Sequence, residues 1–326
     1  MTSSPRTRVV FFGSPEYAVP TLRGLLAAPS IEVVLVVTQP DRPRGRRGAP
    51  LPTPVKALAL EHGIEVLQPE RLRRDSTERI AAMAPEVGVV AASGHILPTH
   101  LLEAFPHDVL NVHASLLPRH RGASAVASAI LAGDEESGAT VMRVVREVDA
   151  GPILGAVRTP IEPLDTTETL TARIADLGAG LLVDLLPRWV AGEVEAVPQD
   201  DALATYAPRL AKADGVIDWS QPALELWRRV RAFEPWPLAT TTYGGEPFVI
   251  HEAWPMTVTT NAAPGTVIEG SRQPLDALLP GREARAVVAC GEGALALLNV
   301  QRAGRRAQDI EVYLNGDAAL IGSRLG

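Results

Sequence analysis

The stretch R-V-V-F-F-G-S-P-E-Y-A-V-P-T-L-R-G-L-L-A-A-P-S-I-E-V-V-L-V-V, residues 8–37, decides the fold. Residues 9–12 are β-branched or aromatic and stop at Gly13-Ser14-Pro15, so they read as a strand. Residues 16–28 repeat apolar side chains at helical spacing, with Pro20 in the first turns. Residues 32–37 are a second apolar run. Strand, helix, strand is the repeating unit of a parallel sheet, and strands this apolar are covered on both faces.

The pattern continues outward. Residues 54–62 read as a helix opened by Pro54, where a missing N–H does no harm. Residues 87–91 and 108–112 read as strands, 97–104 as a short helix, and 124–132 as a helix closed by Gly133. Residues 139–145 and 153–159 read as strands on either side of Asp149-Ala150-Gly151. In 168–192, Leu170, Ile174, Leu177, Leu181, Leu182 and Leu185 fall at helical spacing, with Pro187 expected to end or kink the helix. The expected fold is α/β, a doubly wound, mainly parallel sheet over residues 1–192. The mixed Glu, Pro and Asp content of 193–208 suits a linker. From 209 the pattern changes: a helix at 223–232 is followed by short strand-like runs at 240–243, 247–253, 265–268, 284–290 and 294–300. Short strands separated by Gly and Pro predict a small β-barrel over 209–326.

Composition narrows the class. The chain has 326 residues, 46% hydrophobic and 21% charged, which fits globular domains with ample core. The net charge of −7 excludes a global field for nucleic acid, so such a partner needs local basic patches. No run of about 18 apolar residues spans a membrane, and the first residues lack an apolar signal core. A cytoplasmic protein without membrane contact is expected. Cys290 is the single cysteine, which rules out an intrachain disulfide and a cysteine metal site; a buried, inert thiol is the expected reading.

Four stretches carry chemistry. The G-S-P-E-Y loop opens a helix after a strand, but the G-x-G-x-x-G fingerprint of dinucleotide sites is absent. Gly13 reads as a tight turn or as a point where backbone approaches a substrate. Residues 38–56, T-Q-P-D-R-P-R-G-R-R-G-A-P-L-P-T-P-V-K, hold Arg42, Arg44, Arg46 and Arg47 among glycines and prolines. A solvated loop without regular structure explains them; so does a phosphate partner, because four nearby guanidinium groups repel each other unless an anion is close. A-S-G-H-I-L-P (92–98) follows a strand, and Gly94, Ile96 and Leu97 are placed to wall a flat apolar ligand at the strand ends. His95 reads as a turn histidine.

The fourth stretch is D-V-L-N-V-H-A-S-L-L-P-R-H-R-G (108–122), with Asp149 beyond it. A strand period of two puts Asn111 and His113 on one face and turns Leu110 and Val112 into packing. A buried hydrogen-bonded pair explains Asn-x-His without catalysis. An amide, an imidazole and a carboxylate are also a kit for passing an acyl group to an amine. Ser115 shapes the turn rather than acting as a nucleophile, and His107 and His120 read as exposed.

These residues resemble the methionyl-tRNA formyltransferase family over nearly the whole chain. The core signature is Asn111, His113 and Asp149, with Ser115, Leu116, Leu117 and Pro118 and then Arg121-Gly122. Over the first half the chain also resembles other enzymes that use 10-formyltetrahydrofolate. More specific are T-Q-P-D-R-P-x-G-R (38–46), P-x-P-V-K (52–56), T-Y-A-P-R-L-A-K (205–212), I-D-W-S (217–220), R-A-F-E-P-W-P (231–237), A-P-G-T-V (263–267) and Q-R-A-G-R-R (301–306). Two features depart from the family: R-G-A-S-A-V lacks the usual proline, and the tail D-I-E-V-Y-L-N-G-D is acidic.

The resemblance implies catalysis by Asn111, His113 and Asp149, and folate binding by the 115–118 turn with Gly94, Ile96 and Leu97. It implies tRNA contact by Arg42, Arg44, Arg46 and Arg47, and an OB-like second domain that contacts tRNA. The implied co-substrate is 10-formyltetrahydrofolate with no metal, and the implied partner is initiator methionyl-tRNA, bound by a monomer. Asn111 and His113 would both donate to the developing formyl oxygen, with Asp149 orienting His113.

Overall fold

The computed structural model describes residues 6–43, 49–271 and 275–326. The chain divides into two units. The first comprises residues 1–125, 136–160 and 171–207; the second comprises 126–135, 161–170 and 208–326.

In the first unit, β1 (Thr7–Gly13) leads through α1 (Val19–Ala27) to β2 (Ile31–Val37). There follow β3 (Arg42–Pro43), β4 (Pro50–Leu51), α2 (Pro54–Glu61), β5 (Val66–Leu67), α3 (Arg74–Ala82) and β6 (Val87–Ala91). Then come α4 (Thr99–Leu102), β7 (Val109–His113), β8 (Arg121–Gly122), α5 (Ala125–Ala132, counted with the second unit after its first residue), β9 (Glu136–Arg143), β10 (Ile153–Pro160), α6 (Thr167–Val190, of which 171–190 belong to the first unit) and β11 (Tyr206–Ala207). The main sheet runs β10-β9-β7-β6-β1-β2-β5. From β7 to β5 all neighbours are parallel; β9 and β10 add an antiparallel hairpin.

Chain order reverses between β1 and β6, since β2 lies on one side of β1 and β6 on the other. In an open α/β sheet, ligands sit beyond the carboxyl ends of strands at such a point. Burial on both faces explains the sequence of β1 and β6: Val9–Phe12 and Val87, Val89 and Ala91 have essentially no exposure. The helix α6 packs closely on the sheet because it carries Gly178. A Cβ there would lie 2.7 Å from Val112 Cγ1 and 2.9 Å from Ala139 Cβ. Val112 therefore faces α6, and Asn111 and His113 face the other way.

Several expectations change in detail. The α6 helix continues through Pro187 to Val190, although the proline gives up the bond to the Val183 carbonyl and crowds it. The 97–104 helix shortens to α4. The 38–56 loop is not wholly irregular: β3 and β4 pair antiparallel at its base, Arg42 with Leu51 and Pro43 with Pro50. Gly13 is closed in, because a Cβ would lie 2.6 Å from Phe11 and 2.8 Å from Ala18. It serves packing, not an approach to a substrate. The stretch read as a linker is knitted into the first unit: Val197 exchanges backbone bonds with Ile153, and β11 pairs with β8.

The second unit holds α7 (Ala223–Ala232), β12 (Ala239–Tyr243), β13 (Glu246–Met256), β14 (Val267–Glu269), β15 (Ala286–Ala289), β16 (Ala294–Arg302), β17 (Gln308–Asp309) and α8 (Ile310–Gly316). Its antiparallel sheet runs β12-β13-β16-β15-β14, with β17 beside β16. Two register shifts in β13 curl it. Strand pairing does not close the sheet among the described residues. The final residues reach both edges instead: Leu325 N–H donates to Gly265 O (2.9 Å) and Gly326 N–H to Thr242 O (3.0 Å).

The acidic tail is thus structural, and Ile310, Tyr313, Leu320 and Leu325 enter the core. In I-D-W-S, Ile217 and Trp219 are core, the Trp219 indole donates to Thr241 Oγ1 (3.1 Å), and Ser220 bonds Asp218. Cys290 is buried as expected, and burial pushes its thiol up to about 12. Among the described residues no helix is long and apolar enough to cross a membrane.

His251 on β13 joins two distant segments. Its Nδ1 lies 3.1 Å from Glu234 Oε2 and its Nε2 2.9 Å from Gln301 Oε1. Gln301 Nε2 donates to Arg305 O (2.7 Å), which fixes the amide so that its oxygen faces the imidazole. Two acceptors on one ring favour the doubly protonated form, and the Glu234 bond raises the His251 pKa. A raised folded-state pKa stabilises fully below the unfolded value of about 6.5 and is lost as pH rises through the folded value. We expect His251→Ala to destabilise most near pH 6, with the deficit shrinking toward pH 9. Urea unfolding followed by tryptophan fluorescence reports this, because Trp219, Trp227, Trp236 and Trp254 all lie in the second unit.

Candidate active site

Three strand ends converge at the reversal point. Ser14, just beyond β1, is their hub: its hydroxyl donates to Ser93 O (3.1 Å) beyond β6 and accepts from Gln39 N–H (3.1 Å) beyond β2. Thr38 Oγ1 adds bonds to Ser14 (3.2 Å) and Thr53 (2.8 Å). Farther out, Lys56 pairs with Asp41 (2.6 Å) and Gln68 Nε2 donates to Asp41 Oδ1 (2.7 Å). These bonds hold the Asp41 carboxyl below the usual carboxylate range. Lys56 therefore braces the foot of the arginine loop. Arg42 is exposed on β3; Arg44, Arg46 and Arg47 lie outside the described residues.

Beyond β6, Ile96 is 92% exposed, unusual for so large an apolar side chain, while Leu97 is half-buried and packs on the core. Gly94 adopts φ +73° with the Gln39 side chain alongside. β6 pairs with β7 up to Val90 beside Asn111, so the 92–98 loop and Asn111 share one end of the sheet.

Asn111 is half-buried, and its amide has no protein partner among the described residues. Tyr17, in the short turn after Pro15, reaches the Val112 carbonyl between Asn111 and His113 (3.3 Å). Burial raises the Tyr17 pKa, so the hydroxyl stays a donor. His113 is buried, and its Nε2–H donates to His120 O (3.0 Å), since a carbonyl can only accept. That leaves Nδ1 facing Asp149 Oδ2 at 3.5 Å. The expectation that His113 donates to a substrate oxygen is thereby corrected, because both ring nitrogens face protein groups. His120 is buried, not exposed: its carbonyl holds His113 and its N–H donates to Thr205 Oγ1 (2.8 Å). His107 is half-buried.

The turn after β7 is held from inside. Ser115 is fully buried and its hydroxyl donates to Arg119 O (2.6 Å), the turn-shaping role expected of it. Thr140 on β9 sits opposite His113, donates to Ser115 O (2.7 Å) and accepts from Leu117 N–H (3.2 Å). Leu117 is buried; Leu116 and Pro118 are half-buried.

Asp149 comes from the β9–β10 turn with φ +52°, a left-handed conformation that Asp tolerates better than most residues. Its Oδ2 accepts from Gly122 N–H (2.8 Å). Gln199 Nε2 donates to Asp149 O (2.8 Å) and Gly151 O (2.7 Å), and its Oε1 accepts from Arg121. The triad is thus assembled from β7 and the β9–β10 turn. Tyr17, Thr140, Thr205 and Gln199 support it; Thr205 opens the T-Y-A-P-R-L-A-K stretch, whereas the sequence carried no sign of Thr140 or Gln199. Among the described residues, no three His, Cys, Asp or Glu side chains cluster as metal ligands would.

Residues 7–186 match the formyl transferase family and 209–318 match the formyl transferase C-terminal domain. A methionyl-tRNA formyltransferase of Methylococcus capsulatus is 45% identical over 98% of this chain and 99% of its own length. Another, from Enterococcus faecalis, is 40% identical over 95% and 96%. Among solved structures, an N-formyltransferase from Helicobacter canadensis in complex with folinic acid and dTDP-3-aminofucose superposes with TM-score 0.61 at 17% identity. The match covers 89% of this chain and 99% of that one. HypX from Aquifex aeolicus, in complex with tetrahydrofolic acid, gives TM-score 0.60 at 16% identity; the match covers 95% of this chain and 47% of HypX. At these identities the likeness is one of fold.

Thr140→Val keeps the shape of the side chain but strands a buried carbonyl and a buried N–H in the 115–117 turn. Each such group costs about 1–3 kcal/mol. The variant should lose stability on that scale in urea titrations, against less than about 0.5 kcal/mol for an exposed control substitution.

Proposed function

The chain belongs to the methionyl-tRNA formyltransferase family, and we propose that it transfers the formyl group of 10-formyltetrahydrofolate to the α-amino group of methionine on initiator tRNA. The observation that carries this reading is the pair of buried His113 and half-buried Asp149, beside an Asn111 amide that has no protein partner among the described residues, at the end of the sheet. The 92–98 loop suits the formyl donor: Ile96 offers an exposed apolar face to a flat ring, and Gly94 lets the chain turn away. The 115–118 turn is the second wall through Leu116 and Pro118, which are half-buried; Ser115 and Leu117 are buried and hold the turn rather than face a ligand.

The amine attacks as its neutral form, available near pH 7 because α-amino groups titrate near ~8. A bond forms from the methionine nitrogen to the formyl carbon, and the carbon's bond to the folate nitrogen breaks. One proton leaves the amine, and one ends on the released nitrogen. Charge develops on the formyl oxygen, where Asn111 donates; a donor of this kind is worth about 3 kcal/mol. His113, fixed by the His120 carbonyl, turns Nδ1 to Asp149, and this pair is the acceptor for the amine's proton.

Arg42, Arg44, Arg46 and Arg47 are assigned to tRNA phosphates. The second unit's curled antiparallel sheet suits an OB-like module for the same partner.

Incubation with 10-formyltetrahydrofolate and methionine-charged initiator tRNA should give formylmethionine, and uncharged tRNA or an amino sugar nucleotide should give no product. Formylation of the sugar, or formate alone, would discard the tRNA. His113→Ala and Asp149→Ala should each lower kcat by roughly 100-fold or more, as loss of a general acid–base group does. Replacing the four arginines by Ala should raise KM for tRNA and flatten its salt dependence, leaving KM for the folate within about twofold. Equal loss for both substrates would contradict that division.

A further inference from the structure

We propose that Gln199 is a positioning residue for Asp149, and that Arg121 fixes the direction in which Gln199 acts. The proposal rests on the reading of Asp149 as part of the proton acceptor.

The amide of Gln199 spans the Asp149-Ala150-Gly151 turn, with one nitrogen 2.8 Å from Asp149 O and 2.7 Å from Gly151 O. Both partners are carbonyls, so only the NH2 end can face them. The other end is claimed by Arg121, whose Nε (3.1 Å) and NH2 (2.8 Å) both donate to Gln199 Oε1. A guanidinium has no acceptor, so the amide cannot be reversed. Arg121 itself is buried, with Asp201 at 2.7 Å as its counter-charge. The neighbouring residue completes the arrangement, because Gly122 N–H holds the Asp149 carboxylate directly (2.8 Å).

Arg121-Gly122 thus grips Asp149 at two points: the side chain through Gly122 N–H, the main chain through Gln199. Asp149 sits in left-handed backbone, φ +52°, and needs such restraint to stay 3.5 Å from His113. Gln199 touches neither His113 nor any reacting atom in this arrangement.

The test is a double-mutant cycle. Gln199→Glu keeps the shape and pairs with Arg121, but puts a carboxylate oxygen against two carbonyls. Gln199→Asn is one methylene too short to span the turn. Each should lower kcat roughly 10- to 100-fold, the scale of a misplaced catalytic group, with KM for tRNA and folate within about twofold. Placed in Asp149→Ala, either change should cost less than about twofold more, because the group it positions is gone. The melting temperature of each variant, taken alongside, separates loss of fold from loss of position; if Gln199→Glu does not fold, Gln199→Asn carries the test. Losses that multiply in the double variants, or a loss confined to KM, would overturn the positioning role while leaving the reading of Asp149 intact. An Asp149→Ala enzyme as fast as wild type would overturn both.

Discussion

A carboxylate has to be held 3.5 Å from an imidazole, at the tip of a turn, in a backbone conformation most side chains avoid. Left alone, such a turn relaxes and its carboxylate goes to water. Here the Gly122 N–H takes the carboxylate, and the Gln199 amide takes the carbonyls on either side of the turn. The pairing of β8 with β11 brings 199–207 alongside 119–124, and with it Gln199 to the turn that Gly122 already holds. The stretch before the second unit is therefore part of the scaffold that holds the proposed site. Thr205 shows the same logic, since its hydroxyl holds the His120 backbone, whose carbonyl holds His113.

Around this pair, most polar groups are committed to protein partners. Ser14 ties its own loop to two others, Ser115 and Thr140 close the turn after β7, and Lys56 is spent on Asp41. Asn111 and Ile96 are left uncommitted at the same sheet end. One offers a hydrogen-bond donor and the other an apolar surface. A formyl donor with a flat ring needs both, and a site preorganised in this way spends little energy reorienting dipoles as charge develops.

Legibility in the sequence followed the range of the interactions. Strands β1, β2 and β6 were readable because burial on both faces makes them continuously apolar. Asn111 and His113 were placed on one face by the period of two, and Gly178 against Val112 confirms which face is packed. The α7 helix, with its strong apolar stripe, came out with its observed bounds. The α3 helix leaves no apolar periodicity in the sequence, because Arg74–Ala82 is mostly polar and buries only Ser76 and Ile80. His120 looked exposed between two arginines, yet its role lies in its backbone. Gln199 and Thr140 bond partners 50 and 25 residues away, and no local pattern announces such a bond. The tail was read by its charge, but its sparse apolar residues, Ile310, Tyr313, Leu320 and Leu325, decide its place.

The most direct test is a single-turnover, rapid-quench measurement of formylmethionyl-tRNA formation. Asn111→Ala would be compared with wild type, each enzyme in excess and both substrates saturating. Binding and product release drop out of this rate, so it reports the chemical step alone. The account predicts a fall of about 100- to 1,000-fold, the cost of one donor lost from a developing oxyanion. An unchanged single-turnover rate would contradict it and move the oxyanion to another donor.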